Sequence, residues 1–140
     1  GIPIGNLTSQ LFANVYMNEF DQFIKHHLQL KFYIRYTDDF VIVDNDQTKF
    51  NMLIFEINNF IQSKIKLGLH PKKVNICPLN RGVDFLGYVV LPHYRALRTK
   101  TKKRMLKKIN QKNLSSYLGL LKHCKSKKLI SQIAIILDKI

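Results

Sequence analysis

The sequence predicts an α+β fold that ends in basic helices. Long stretches with apolar residues at helical spacing alternate with short runs of β-branched and aromatic residues. Gaps of turn length join the strand-like runs, as in hairpins. Charge divides the 140 residues: 1–70 carry six basic and seven acidic side chains, and 71–140 carry seventeen and two.

Residues 7–27 predict an amphipathic helix. Leu11, Val15, Phe12, Tyr16, Phe20, Phe23 and Ile24 make one broad stripe. Thr8 or Asn6 is placed to cap it. Residues 31–36 and 40–43 predict two strands, with Thr37-Asp38-Asp39 between them as a tight hairpin turn. Asp44, Asn45 and Asp46 offer caps for a helix over about 47–66, and Gly68 is a suitable stop. A short strand is expected around Val74 and Ile76, with Pro71 and Pro78 near its ends. Asn80-Arg81-Gly82 reads as a turn. Val83–Leu91 and Ala96-Leu97 read as a strand pair bent around Pro92-His93. Helices follow over about 100–112, 114–124 and 127–139, with Thr99 and Ser126 as caps. A domain boundary is expected near residue 98, dividing 1–98 from 99–140. Phe12, Phe20, Phe32 and Tyr33 are expected to be packing residues.

Apolar residues make up 46% of the chain, enough for a packed core and against disorder. No apolar run approaches the roughly 20 residues of a membrane span, so no membrane partner is expected. Cys77 and Cys124 form no CxxC, which argues against a disulfide framework and against a zinc site. A cytoplasmic, reducing compartment is the expectation. The chain opens at Gly1-Ile2-Pro3-Ile4-Gly5 without an initiator Met, and is expected to be a piece of a longer protein. Apolar surface left uncovered in such a piece is expected to favour dimerisation.

The sharpest chemical feature is Tyr36-Thr37-Asp38-Asp39. Adjacent carboxylates at a hairpin tip repel one another unless a cation intervenes. A hard divalent ion with oxygen ligands, Mg2+ in the first place and Mn2+ as the alternative, resolves that conflict. The competing reading is a solvated turn in which the two acids do no chemistry.

Tyr36-Thr37-Asp38-Asp39 resembles the Tyr-x-Asp-Asp box of reverse transcriptases. Gly1-Ile2-Pro3-Ile4-Gly5-Asn6-Leu7-Thr8-Ser9-Gln10 resembles the box that precedes it in that family. Leu67-Gly68-Leu69-His70-Pro71-Lys72-Lys73 is similar to the lysine box that follows. Val83-Asp84-Phe85-Leu86-Gly87-Tyr88 is similar to the Phe-Leu-Gly primer-grip box. Four boxes in family order span most of residues 1–98. Ile4 stands where most relatives carry Gln, Gln10 where most carry Pro, and Val74 where Thr is common. The Ile-Gly-x-x-x-Ser-Gln form, with Ser116-Tyr117-Leu118-Gly119 and Leu121-Lys122-His123, is most similar to the enzymes of bacterial diversity-generating retroelements. Group II intron and retron enzymes are the near alternatives.

The resemblance implies the back half of a polymerase palm, an antiparallel sheet packed on two helices, over 1–98. A helical thumb segment follows over 99–140. It implies RNA-directed DNA synthesis from dNTPs on a template RNA, with Asp38 and Asp39 as catalytic metal ligands. Tyr36 and Thr37 would lie beside the primer end, and Gly5, Asn6, Ser9 and Gln10 near the incoming nucleotide. Gly5 also fits a plain turn, and Ser9 and Gln10 fit an ordinary first helical turn. Lys73 would be a proton donor or phosphate contact; the alternative is a solvated lysine. Phe85, Leu86, Gly87 and Tyr88 would hold the primer backbone, although strand alternation makes one of Phe85 and Leu86 plain core.

The run Arg95, Arg98, Lys100, Lys102, Lys103, Arg104, Lys107, Lys108 and Lys112 is dense positive charge. On a helix these residues cannot all share a face. One face, drawn from Arg98, Lys102, Lys103, Arg104 and Lys107, is expected to lie along nucleic-acid phosphates. The family's first catalytic aspartate lies upstream of the opening box, so the isolated chain is expected to be inactive. The alternative function is a non-catalytic RNA-binding module that uses the basic helices alone.

Overall fold

A computed structural model of the chain describes residues 6–137. Two compact units emerge, Gly1–Ile76 and Cys77–Ile140. Each has its own buried cluster.

In the first unit, the Asn6 side chain accepts from the Thr8 amide at 3.1 Å and caps α1 (Leu7–Tyr16). The single helix expected over 7–27 is interrupted at Met17. It resumes as α2 (Asn18–Gln22) and widens into a π-helical turn over Phe23–His27. That widening shifts the helical phase. Phe20 and Ile24 are fully buried, whereas Leu11, Phe12, Val15 and Tyr16 on α1 are exposed. The apolar stripe is therefore continuous in sequence but only its second half meets a core.

Strands β1 (Phe32–Tyr36) and β2 (Asp39–Val43) pair antiparallel from Phe32 opposite Val43 to Tyr36 opposite Asp39. Helix α3 (Lys49–Phe60) follows, and it too ends in a π turn, Ile61–Ile65. Leu53, Ile57, Ile61 and Ile65 close on Phe20 and Ile24, with Tyr33, Phe40 and Ile42 packed against them from the hairpin. The Phe20 ring meets Phe40 edge-on at 5.0 Å, and Phe23 stacks on Phe60. Phe32, expected to be a packing residue, is exposed, because alternation puts it on the hairpin's other face. Lys66, at φ 56°, takes the left-handed stop position expected of Gly68.

The strand expected at Val74 and Ile76 does not form. Lys73 ends a turn closed on the His70 carbonyl at 2.9 Å, and both apolar residues remain partly exposed. Pro71 and Pro78 remove ladder donors on either side.

The second unit begins with a 3₁₀ turn, Leu79–Arg81. An antiparallel meander follows: β3 (Val83–Phe85), β4 (Tyr88–Val90) and β5 (Arg95–Leu97). The expected strand pair is thus three short strands, folded at Leu86-Gly87 as well as at Pro92-His93. Helices α4 (Thr99–Lys108), α5 (Leu114–Leu121) and α6 (Lys127–Leu137) bury Met105, Ile109, Leu121, Leu129 and Ile133. Leu97 of β5 packs on that cluster. The Lys125 amide also donates to the Arg95 carbonyl at 2.7 Å. Arg98 lies in this unit, at the cap of α4.

Gly82 enters β3 at φ 82°, and a Cβ there would fall 2.5 Å from the Val89 Cγ1. Positive φ and close approach together restrict this position to glycine. Gly82→Ala is expected to lower stability by about 2 kcal/mol or more, read as a fall in the urea midpoint without a change in slope.

Candidate functional site

The Thr37-Asp38 dipeptide is the loop of a two-residue hairpin closed by the Tyr36–Asp39 pair. Such a loop requires positive φ at its first position, and Thr37 has φ 53°. A β-branched residue is strained there. The Thr37 hydroxyl lies 2.7 Å from the Tyr36 carbonyl and 2.9 Å from Asp38 Oδ1, with one proton to give to either. Asp38 and Asp39 are both exposed. Neither is ion-paired among the described residues.

The turn is held from below by Arg35. Its Nη1 donates to the Thr37 carbonyl at 2.7 Å and to Asn14 Oδ1 on α1 at 3.3 Å. Its Nε and Nη2 grip Asp21 of α2 at 2.8 and 2.6 Å, a bidentate pair. Tyr33 Oη also donates to Asp21, at 2.7 Å. The Arg35 side chain is only 9% exposed and that of Asp21 22%. The Arg35 hydrogen bonds hold the Asp21 carboxyl below its ordinary range against the opposing effect of burial. Burial, followed by the hydrogen bond to Asp21, pushes the Tyr33 phenol well above its own range. Sequence reading did not single out Arg35, Asp21 or Asn14. Their signal was alternation: Arg35 shares the inward face of β1 with Tyr33, where a cation demands a partner.

The remaining expected site residues fall as follows. Gly5 lies outside the described residues, with the first half of the opening box. Asn6 is the α1 cap; Ser9 and Gln10 stand in the first turn of that helix. Gln10 is four residues before Asn14, so the two share the α1 face turned to Arg35. Tyr36 is 58% exposed beside Asp39, on the face shared with Phe32, Ile34 and Val43. Lys73 is exposed in its turn, and no hydrogen bond or ion pair joins it to Asp38 or Asp39 among the described residues. Thus Tyr36, Thr37, Asp38 and Asp39 form one cluster, braced against the helix that carries Gln10.

In the second unit, Leu86 and Gly87 are the loop of another two-residue hairpin, at φ 52° and 86°. Leu86 is not an alternating strand residue; it projects, exposed, from the tip. Phe85 and Tyr88 close that hairpin, and Tyr88 Oη donates to the Leu120 carbonyl at 2.9 Å. Arg98 is engaged by Asp84, with Nε at 2.7 Å from Oδ1. Its amide donates to the Gly87 carbonyl at 3.0 Å. Lys100, Lys103, Arg104 and Lys107 line the α4 face opposite buried Met105, and Lys102 stands off that face.

Two adjacent exposed carboxylates are hard oxygen donors suited to Mg2+. That ion binds through one or two carboxylates and fills its other positions with water and phosphate. No third His, Cys, Asp or Glu gathers into a metal-binding group among the described residues. No helix of the described residues is long and apolar enough to cross a membrane.

The family model for reverse transcriptase (RNA-dependent DNA polymerase) matches residues 1–90. The chain belongs to the reverse transcriptase family. It is 28% identical to Protein YkfC of Escherichia coli (strain K12), over 63% of this chain and 32% of that protein. The chain thus spans about a third of the length of this curated relative. The matched residues include the whole Asp38–Asp39 hairpin and its Arg35–Asp21 brace, as well as the Phe85–Tyr88 hairpin. The α4–α6 helices lie beyond the match.

Removing Arg35 leaves the Thr37 carbonyl without its side-chain donor and Asp21 with the Tyr33 hydroxyl but no paired cation. Arg35→Ala is expected to cost about 3 kcal/mol, measured by urea denaturation at neutral pH. The Asp21 carboxyl is depressed in the folded state. Its stabilisation is present above the ordinary carboxyl range, near pKa 3.9, and is lost as pH falls through the lower folded value. Asp21→Asn is expected to be less stable at neutral pH. On acidification below about pH 4, its stability should fall less than that of the parent, compared by thermal midpoints across pH.

Proposed function

We propose that the chain is a segment of an RNA-directed DNA polymerase. Residues 1–98 would contribute the back half of the palm and residues 99–140 helices of the thumb. The supporting observation is the braced hairpin: two adjacent carboxylates, unpaired and exposed, on a turn fixed in a strained conformation. A solvated turn with no chemistry has no need of an arginine tied to two helices.

Asp38 and Asp39 would hold Mg2+, with Mn2+ as the alternative. Bound there, the metal supplies charge neutralisation for the triphosphate of a dNTP and lowers the pKa of the primer 3′-hydroxyl. The chain's own residues position the reactants. Tyr36 presents an exposed ring beside Asp39, where a primer terminus can pack. Thr37 orients the Asp38 carboxyl through its hydroxyl. Gly5, Asn6, Ser9 and Gln10 border the nucleotide at the start of α1. Lys73 serves as a phosphate contact or proton donor. Leu86 and Gly87 meet the primer backbone at the second hairpin tip. Phe85 and Tyr88 set that tip, Tyr88 through its bond to Leu120. Lys103, Arg104 and Lys107 follow the phosphates of the template RNA–primer duplex, with Lys102 beside them and Arg98 fixing the start of α4.

The retroelement class we favour is the bacterial diversity-generating type, on the Ile-Gly-x-x-x-Ser-Gln form of the opening box. Its compartment is then the bacterial cytoplasm. By itself the chain is proposed to be inactive, because two carboxylates with no third gathered beside them among the described residues hold magnesium weakly. Exposed Phe32, Ile34 and Tyr36 on the hairpin, with Leu7, Leu11 and Phe12 on α1, give it apolar surface through which to dimerise.

The α4 cation face supports a second reading, a non-catalytic RNA-binding module. Primer extension and RNA binding separate the two. In a polymerase carrying this segment, Asp38→Ala is expected to reduce extension at least a thousandfold and leave RNA affinity within about twofold. A binding module would tolerate Asp38→Ala and fail on charge reversal of Lys103, Arg104 and Lys107. For the isolated chain, calorimetric titration should show weak magnesium binding and gel assays no extension. Robust synthesis by the 140 residues alone would overturn the proposed inactivity.

A further inference from the structure

We propose that a second nucleic-acid contact lies in the open depression between the β4–β5 loop and the α5–α6 connection, and that it takes a single-stranded segment. The depression measures about 450 Å³ and is lined by Leu91, His93, Tyr94, Arg95, Lys122, His123, Cys124 and Lys125. Its two walls are joined. The Leu91 amide closes the β4–β5 loop on the Tyr94 carbonyl at 2.9 Å, and the Lys125 amide binds the Arg95 carbonyl at 2.7 Å. The Lys125 ammonium sits 5.2 Å from the centre of the Tyr94 ring.

Three features specify the ligand. Arg95, Lys122 and Lys125 converge with two imidazoles, and no carboxylate lines the depression among the described residues. Asp84, the sole acid among the described residues of this unit, is held by Arg98. The cations therefore repel one another until an anion enters. Tyr94 stands in the same wall, 46% exposed. An aromatic face beside a cation is what an unpaired base stacks on, whereas a duplex keeps its bases stacked internally. Finally, the depression is wide and open, suited to a chain passing across it and not to an enclosed small molecule. This surface is distinct from the α4 face and does not depend on catalysis at Asp38.

The test is anisotropy titration of the 140-residue chain with a labelled single-stranded RNA of about 12 nucleotides, repeated across salt concentrations. Lys122→Glu with Lys125→Glu should weaken binding at least tenfold and reduce the log–log salt slope by about 1.4, or 0.7 per lost phosphate contact. Tyr94→Ala should weaken RNA binding about tenfold with the slope unchanged, while Tyr94→Phe retains it and heparin binding is unaffected. All three positions are exposed, and matching circular dichroism spectra control for folding. Parent-like affinity and slope in both the double variant and Tyr94→Ala would overturn the proposal. If Lys103→Glu with Arg104→Glu alone weakens binding, the α4 contact stands and this one falls. Competition by polyglutamate but not by RNA would assign the depression to an acidic polypeptide and would also overturn it.

Discussion

The bidentate pair between Arg35 and Asp21 is the constraint on which the hairpin depends. A guanidinium only 9% exposed must have its donors satisfied. Here Asp21 on α2, Asn14 on α1 and the Thr37 carbonyl accept them. One side chain therefore ties two helices to the tip of a strand pair. A two-stranded hairpin standing alone is marginal in water; this one is anchored by an ion pair at its tip end and by Phe40 and Ile42 along its inner face. The pairing has an electrostatic consequence as well. Because Asp21 neutralises Arg35, the arginine adds little positive charge near the tip. Asp38 and Asp39, at the tip itself, have no cationic side chain paired with them among the described residues.

Charge is divided between the two units in the opposite sense. The first unit gathers its five aspartates at defined places: the Arg35 brace, the turn, and the Asp44–Asp46 turn before α3. The second has Asp84 as its one acid among the described residues, and Arg98 takes it. No other described cation of that unit is ion-paired with a carboxylate among the described residues. Net positive charge of this size is unfavourable to a compact state by itself. The unit tolerates it because Met105, Ile109, Leu121, Leu129 and Ile133 form a core to which the charged residues do not belong. In α4 the separation is clean: Met105 is buried while Lys103, Arg104 and Lys107 point outward.

Much of this organisation was legible in the residues. Periodicity located the α-helical stretches of the described chain, and the β-rich runs located the Tyr36–Asp39 hairpin. The Phe85–Tyr88 hairpin lies inside a run that reads as one strand, because its loop contains only Leu86 and Gly87. Two further kinds of error remained. Interruptions of a helix, such as the break at Met17 and the π turns at Phe23–His27 and Ile61–Ile65, leave no mark in a hydrophobic pattern. Moving the phase by one residue changes which apolar groups are buried but not that they are apolar. The strand expected at Val74 and Ile76 failed for another reason: a strand requires a partner, and local propensity does not supply one. At the candidate site, Asp38 and Asp39 stood out as an adjacent pair. Arg35, Asp21 and Asn14 did not, because each is an ordinary polar residue until folding brings them together across 21 positions.

The two hairpin tips show why local turn chemistry was an incomplete guide. Both are two-residue loops with positive φ at the first position. In the Phe85–Tyr88 loop, Leu86 carries the strain of the first position as Thr37 does, glycine meets a second positive φ at Gly87, and the Arg98 amide completes the fit by binding the Gly87 carbonyl. The Tyr36–Asp39 loop contains no glycine. An Asn-Gly pair would form that turn with less strain. Thr37 is instead kept in the left-handed region by a hydrogen bond from an arginine that is itself fixed by Asp21. Departures from local preference concentrate where a side chain is required for something other than folding. In this loop the departure retains a hydroxyl and a carboxylate at the two central positions, with a second carboxylate at the closing one. Those are the groups a divalent ion and a nucleotide would engage.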